Sequence, residues 1–141
     1  MKPQAEAYLA SAVEALADAK QILAIHIPRQ AARLAYYAQF HAAQAPIFER
    51  TGKIAKTHKG VQTHFHRLIK QEKADGPGLA GDLSASYHFK EAADYETGAA
   101  GAISSGDAAE AIRTAERFLA VIKGILDAAP NGPAPAMGGE P

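Results

Sequence analysis

Apolar residues recur every three or four positions along most of this chain, which is the spacing of amphipathic helices. The first such pattern predicts a helix from about Pro3 to Ile27. A proline suits a first helical turn, and Pro28 ends this helix because the residue before a proline avoids helical angles. Its apolar stripe consists of Leu9, Ala12, Val13, Leu16, Ala19, Leu23 and Ile27. Ile22 and Ile25 lie off the stripe and indicate a second contact, either within the protein or in a dimer.

A second helix is predicted from about Arg29 to Arg50. Gly52 is its stop signal, because glycine accepts the left-handed angles that end helices. Pro46 should kink the last turn or shift it. The apolar stripe of this helix consists of Tyr36, Phe40, Ala43 and Ile47.

Thr57 can cap a third helix, which runs to about Lys73. The inner face of this helix consists of Val61, Phe65, Leu68 and Ile69. The stretch from Arg29 to Leu68 concentrates aromatic residues and histidines, and we expect it to form the central helical hairpin of the protein.

Two helices follow, each after a loop rich in small residues. The fourth is predicted from about Asp82 to Glu96, with Asp82 or Ser84 as its cap. The fifth follows a capping box from Ser104 to Asp107 and runs to about Ala128. Its apolar stripe consists of Ala108, Ala111, Ile112, Ala115, Leu119, Ile122 and Leu126.

These patterns predict an all-α protein, an up-and-down bundle of four to five helices. Abundant alanine, with little valine, isoleucine or threonine, favours helix over sheet. The length of 141 residues fits one domain, which we assign to residues 1–129. Residues 130–141 are rich in proline, glycine and alanine and should form a disordered tail.

The amino-acid composition excludes several kinds of functional site. The chain has no cysteine, which excludes disulfides, thiolate zinc sites and cysteine nucleophiles and fits the cytoplasm, where we expect the protein. Fifteen positive and fifteen negative residues balance, so the chain as a whole should not attract nucleic acid, although a local basic patch can. No run of about 18 apolar residues would span a membrane. No phosphate-binding glycine loop follows a strand, and we expect no cofactor.

Histidines are the first candidates for chemistry. No two of them stand four residues apart, the spacing that puts two metal ligands on one helix face, so no metal site is expected. His58 and His64 should flank the inner face of the third helix, and His66 should be exposed.

A polar stripe on the second helix is the first candidate binding site. Arg33, Tyr37, His41 and Gln44 follow one another at helical spacing. Their donors could bind a phosphate or an acidic partner. The alternative is a hydrogen-bonded group at the edge of the core.

The second candidate site lies on the fourth helix. Tyr87, Lys90, Glu91 and Asp94 share one face, and Lys90 can pair with Asp94 one turn later. The alternative is a solvated face that carries an ordinary ion pair.

Several motifs occur in a fixed order: R-L-A-Y-Y-A-Q-F-H-A from Arg33, K-T-H-K-G-V from Lys56, and A-D-Y ending at Tyr95. In this order they resemble the HEPN domain superfamily, in particular its small stand-alone bacterial and archaeal members. The resemblance extends from about Ala7 to Leu126. It implies a helical bundle that forms a homodimer, often with a minimal nucleotidyltransferase partner in a toxin–antitoxin pair.

Active members of that family are metal-independent endoribonucleases. The resemblance implies a late helix with an Arg that stabilises phosphate charge and, about four to six residues later, a His that acts as acid or base. The matching residues here are Lys90 and Tyr95. Lysine lacks the guanidinium fork, and tyrosine, with a reference pKa near 10, is a poor base at neutral pH. A straight helix would also point the two side chains about 140° apart.

We therefore expect a module that binds a partner protein or nucleic acid, in a toxin–antitoxin type of system with a minimal nucleotidyltransferase. One alternative is a ribonuclease with a variant site, in which Lys90 and Tyr95 act with His41 or His88. Another is a structural interaction module whose function involves no RNA.

Overall fold

The computed structural model describes residues 1–74, 78–95 and 102–128. This part of the chain forms five helices and contains no strand. They are α1 (Pro3–Ala24), α2 (Pro28–Thr51), α3 (His58–Gln71), α4 (Leu79–Tyr95) and α5 (Ser105–Asp127). The predicted all-α bundle is confirmed. The predicted tail and parts of the two predicted loops lie outside the described residues.

Three predicted helix ends have the expected local chemistry. Gly52 ends α2 with a φ of 71°, and its N–H donates to the carbonyl of Phe48. The Thr57 side chain accepts a hydrogen bond from the N–H of Gly60 at the start of α3. Before α5, the side chains of Ser104 and Asp107 each accept a hydrogen bond from the other residue's backbone N–H, which confirms the capping box.

The predicted start of α4 was wrong. α4 begins at Leu79, so neither Asp82 nor Ser84 is its cap. Leu79 and Leu83 are both almost fully buried one turn apart, and their burial favours the earlier start. α2 continues through Pro46 and ends at Thr51, within one residue of its predicted end.

The apolar stripe of α1 is also shorter than predicted. Ala12, Leu16 and Ala19 are buried, but Val13 is 46% exposed. α1 ends at Ala24, before Ile27, which is 44% exposed.

α2 lies at the centre of the bundle and packs against every other helix. Its predicted stripe of Tyr36, Phe40, Ala43 and Ile47 is buried, as is the predicted inner face of α3. The predicted stripe of α5 omitted Phe118, which is fully buried with its ring centroid 5.4 Å from that of Phe65 on α3. None of the helices in the described residues combines the length and the hydrophobicity that crossing a bilayer requires.

α2 and α3 run parallel, so the predicted hairpin was wrong. His58, the first residue of α3, contacts Tyr36 in the first half of α2, whereas Glu72 at the end of α3 contacts Arg50 at the end of α2. The connector from Gly52 therefore runs back along the bundle before α3 begins. The amide of Gln44 holds it there by donating to the carbonyl of Ala55 at 3.1 Å.

Arg50 joins three helices at the other end of the bundle. Its Nε lies 2.9 Å from Oε2 of Glu72, and both side chains are over nine-tenths buried. Its Nη2 donates to the carbonyls of Ile125, at 3.0 Å, and Ala128, at 3.2 Å, at the end of α5. One side chain thus fixes the ends of α2, α3 and α5 together.

Candidate functional site

Three charged side chains meet where the first turns of α2 face the last turns of α4. Nε of Arg33 lies 2.5 Å from Oδ1 of Asp94, and Nζ of Lys90 lies 2.6 Å from Oδ2. Each carboxylate oxygen therefore binds one cation. Arg33 also donates to the carbonyl of Ala93 at 3.2 Å, and Arg29 donates to the same carbonyl. We call Arg33, Lys90 and Asp94 the ionic triad.

The ionic triad is mostly buried, and its members stabilise one another in their charged forms. Burial by itself would raise the pKa of Asp94, but hydrogen bonds from Lys90 and Arg33 outweigh it and lower that pKa. The hydrogen bond to Asp94 raises the pKa of Lys90 by more than burial lowers it. At neutral pH the Asp94 carboxylate therefore binds two cations, Arg33 and Lys90, and holds both in place.

An aromatic cluster adjoins the triad and consists of Tyr36, Tyr37, Phe40, His58 and Tyr87. Lys90 Nζ lies 5.8 Å from the centroid of the Tyr37 ring. His58 packs with its ring centroid 5.0 Å from those of both Phe40 and Tyr87. Its Nδ1 lies 2.8 Å from the hydroxyl of Tyr36. The cluster joins α2, α3 and α4 around one imidazole.

His58 is held as the neutral imidazole. Burial and then the charge of Lys90 lower its pKa, and Glu91 and Asp94 oppose this only in part. Burial also raises the pKa of Tyr36, so this phenol stays protonated. The Tyr36–His58 hydrogen bond therefore joins two neutral groups near neutral pH.

Most of the residues that the sequence assigned to binding come together here. Arg33 and Asp94 belong to the ionic triad, and Tyr37 and Tyr87 line the aromatic cluster. His41 lies at the edge of the cluster: its ring packs against Phe40, and its Nδ1 lies 3.2 Å from Oε1 of Gln44.

The two residues that match the family's catalytic pair differ in their exposure to solvent. Lys90 is only 7% exposed, whereas Tyr95 is 75% exposed. His88 is exposed beside Tyr87. Lys90 is therefore enclosed by the protein, whereas Tyr95 and His88 face solvent.

The sequence did not identify His58 as a neighbour of this site. Its contact with Tyr36 joins residues 22 positions apart, across a connector whose path has no periodic signal. The K-T-H-K-G-V motif was the available indication, since it places His58 directly after the Thr57 cap.

Within the described ranges, no three histidine or acidic side chains cluster as metal ligands would. No curated protein matched the sequence. The family model of the HEPN domain matches residues 5–125, which include all five helices except the two terminal residues at each end of the helical region. With this match over most of its length, the chain belongs to the HEPN domain family.

Proposed function

We propose that this HEPN protein is a binding module and not a ribonuclease. It binds a partner protein or nucleic acid in the cytoplasm as a homodimer, within a toxin–antitoxin type of system. The observation that carries this proposal is the position of Asp94, which binds both cations at the place where the family's active members need a free one.

Metal-independent RNA cleavage needs a cation that reaches the phosphate and a group that moves the proton of the 2′-hydroxyl. Lys90 is buried and hydrogen-bonded to Asp94, so reaching a phosphate would break this pair inside the protein. Tyr95 is exposed, and a phenol is a poor base at neutral pH. Both requirements of the cleavage reaction are therefore weakened.

The end of the bundle beside the triad carries exposed apolar side chains that suit a protein contact. Ile25 and Ile27, at the α1–α2 corner, are 63% and 44% exposed. Arg29 binds the carbonyl of Ala93, which brings this corner next to the end of α4 and its exposed Tyr95. Exposed apolar and aromatic residues of this kind mark interaction surfaces. We assign this end to the homodimer contact and propose a minimal nucleotidyltransferase as the second protein partner.

A cleavage assay tests the central claim. Purified protein incubated with RNA, with and without Mg²⁺, should leave the RNA intact. Metal-free cleavage that leaves 2′,3′-cyclic phosphate ends would overturn the proposal in favour of the variant ribonuclease. Loss of that cleavage in Tyr95→Phe and His41→Ala would then identify its residues.

Light scattering tests the dimer contact. The wild-type protein should have the mass of a dimer, and Ile25→Ser with Tyr95→Ser should shift it towards the monomer. Val13→Ser is the control, because Val13 is an exposed apolar residue in the middle of α1, away from the α1–α2 corner. A monomeric wild-type protein would remove the homodimer from the proposal. Co-purification with a nucleotidyltransferase from native cells tests the second partner.

A further inference from the structure

The connector before α3 and α3 itself are strongly basic. Six positive residues and one acidic residue occur between Lys53 and Lys73, although charges balance over the whole chain. The acidic residue is Glu72, which is buried and bound by Arg50. The positive residues are Lys53, Lys56, Lys59, Arg67, Lys70 and Lys73.

The outer face of α3 presents part of this charge as one row. Lys59, Thr63, His66 and Lys70 follow one another at intervals of three and four residues, and all four are exposed. Arg67 is exposed beside the row. The Cα atoms at the two ends of the row are roughly 16 Å apart, from the helical rise. We call these five residues the α3 outer row.

The cations of the outer row, Lys59, Arg67 and Lys70, form no salt bridge to the carboxylates that the structure describes. Lys20 and Arg113, by contrast, pair with glutamates on α5. The resulting potential is felt by nearby groups, since Arg67 and Lys53 add to the effect of burial in lowering the pKa of His64.

A pocket of about 340 Å³ opens between α3 and α4 beside the outer row. Thr63 and His66 belong to both the row and the pocket, and Gln62 and Ser84 supply further polar groups. Phe65 and Leu83 also line it. Amide, hydroxyl and imidazole groups can both donate to and accept from the edge of a planar base.

We propose that the α3 outer row and the α3–α4 pocket bind a single-stranded polynucleotide, with phosphates along the row and one base in the pocket. This rests on the nucleic-acid half of the proposed function and identifies its surface. A single strand can place its phosphates along a row of cations and turn an unstacked base into an adjacent pocket. A duplex cannot do this, because its bases stay stacked. An anionic membrane is the weaker match, because α3 has no large exposed apolar residue.

Fluorescence anisotropy with a labelled oligouridylate of about 12 nucleotides tests the row through its salt dependence. We compare the wild-type protein with the triple variant Lys59→Gln, Arg67→Gln, Lys70→Gln. Losing three phosphate contacts should weaken binding and reduce the slope of log affinity against log salt by about 2. The control variant Lys20→Gln, Arg113→Gln, Lys123→Gln removes the same charge from α1 and α5 and should bind as the wild type does.

Ser84→Leu tests the pocket separately. A larger apolar side chain should exclude the base and lower affinity about tenfold, with the salt slope unchanged. The deoxy version of the same oligonucleotide shows whether the bound strand can be DNA as well as RNA, because both carry the chemistry that the row recognises. Circular dichroism should show that all variants keep the helical fold, since the changed residues are exposed or only half-buried.

Equal binding by the wild-type protein and the row variant would overturn the row assignment. Equal affinity for a labelled RNA duplex of the same length, or tighter binding to acidic phospholipid vesicles, would overturn the assignment of a single strand as the ligand. Absence of any binding to the oligonucleotide would also overturn it, but would leave the partner-protein half of the proposed function intact. RNA cleavage that persists in the row variant would overturn the proposed function without involving α3.

Discussion

The hydroxyl of Tyr36 lies 2.8 Å from Nδ1 of His58, which joins the first half of α2 to the first residue of α3. This contact shows that the two helices start at the same end of the bundle. It also packs the imidazole among four aromatic rings, those of Tyr36, Tyr37, Phe40 and Tyr87. His58 thereby becomes a group whose protonation opposes folding.

We expect the free energy of unfolding to decrease as the pH falls from about 7 to 5. The folded pKa of His58 is below its unfolded value, so between the two values the unfolded chain binds more protons. The stabilisation is complete above the unfolded pKa and is lost as pH falls through the folded one. Urea unfolding at a series of pH values measures the slope.

His58→Gln should make this pH dependence shallower. His66→Gln is the control, because His66 is exposed on the same helix. His64, whose pKa is also lowered, contributes in the same direction in both variants. An unchanged slope in His58→Gln would show that His58 is not the group responsible.

Asp94→Ala should destabilise the protein by about 2–3 kcal/mol. The change removes the only carboxylate of the ionic triad and leaves Lys90 and Arg33 mostly buried without their counter-ion. Chemical denaturation gives the free energy. Glu110→Ala removes the carboxylate of a solvent-exposed pair with Arg113 and should destabilise the protein far less than Asp94→Ala does.

A double variant separates charge from packing at the same place. Lys90→Met combined with Asp94→Ala removes a cation together with its acid, so it should be more stable than Asp94→Ala alone. If the double variant is the less stable of the two, the triad does not act through an unpaired buried charge.

Arg50→Ala should cost about 3–4 kcal/mol, because the change leaves Glu72 buried and the terminal carbonyls of α5 without their donor. Arg50→Lys should recover only part of this, since an ammonium cannot donate to three groups in the fork geometry of a guanidinium. Thermal and urea unfolding of the three proteins measure the difference. Full recovery by lysine would mean that charge alone holds the helix ends.

Two glycine-to-alanine substitutions should change the free energy of unfolding in opposite directions. Gly52→Ala should destabilise by about 1 kcal/mol, because Gly52 has a φ of 71° and alanine is strained there even though no atom blocks its Cβ. Gly124→Ala should stabilise by about 0.5–1 kcal/mol, because Gly124 lies within α5 with open space around its Cβ. Melting temperatures of the two variants provide the comparison, and a shift of the same sign in both would contradict it.

The sequence by itself determined the helical class, the family and the local chemistry of the helix ends. Helical periodicity depends on residues three or four apart, and caps such as Thr57 and Ser104 act within one turn, so both can be predicted without tertiary information. The Lys90–Asp94 pair belongs to the same group, because both residues lie on one turn of α4.

Only the tertiary structure decided how these pieces meet. The parallel course of α3, the place of His58 among aromatic rings and the capture of Asp94 by Arg33 all join residues at least 22 positions apart. The start of α4 at Leu79 likewise follows from burial of its side chain. Such contacts depend on the path of connectors and on which side chains exclude water together. The connector paths and these long-range contacts leave no periodic pattern in the sequence. The free energy that selects them arises only when distant helices pack against one another.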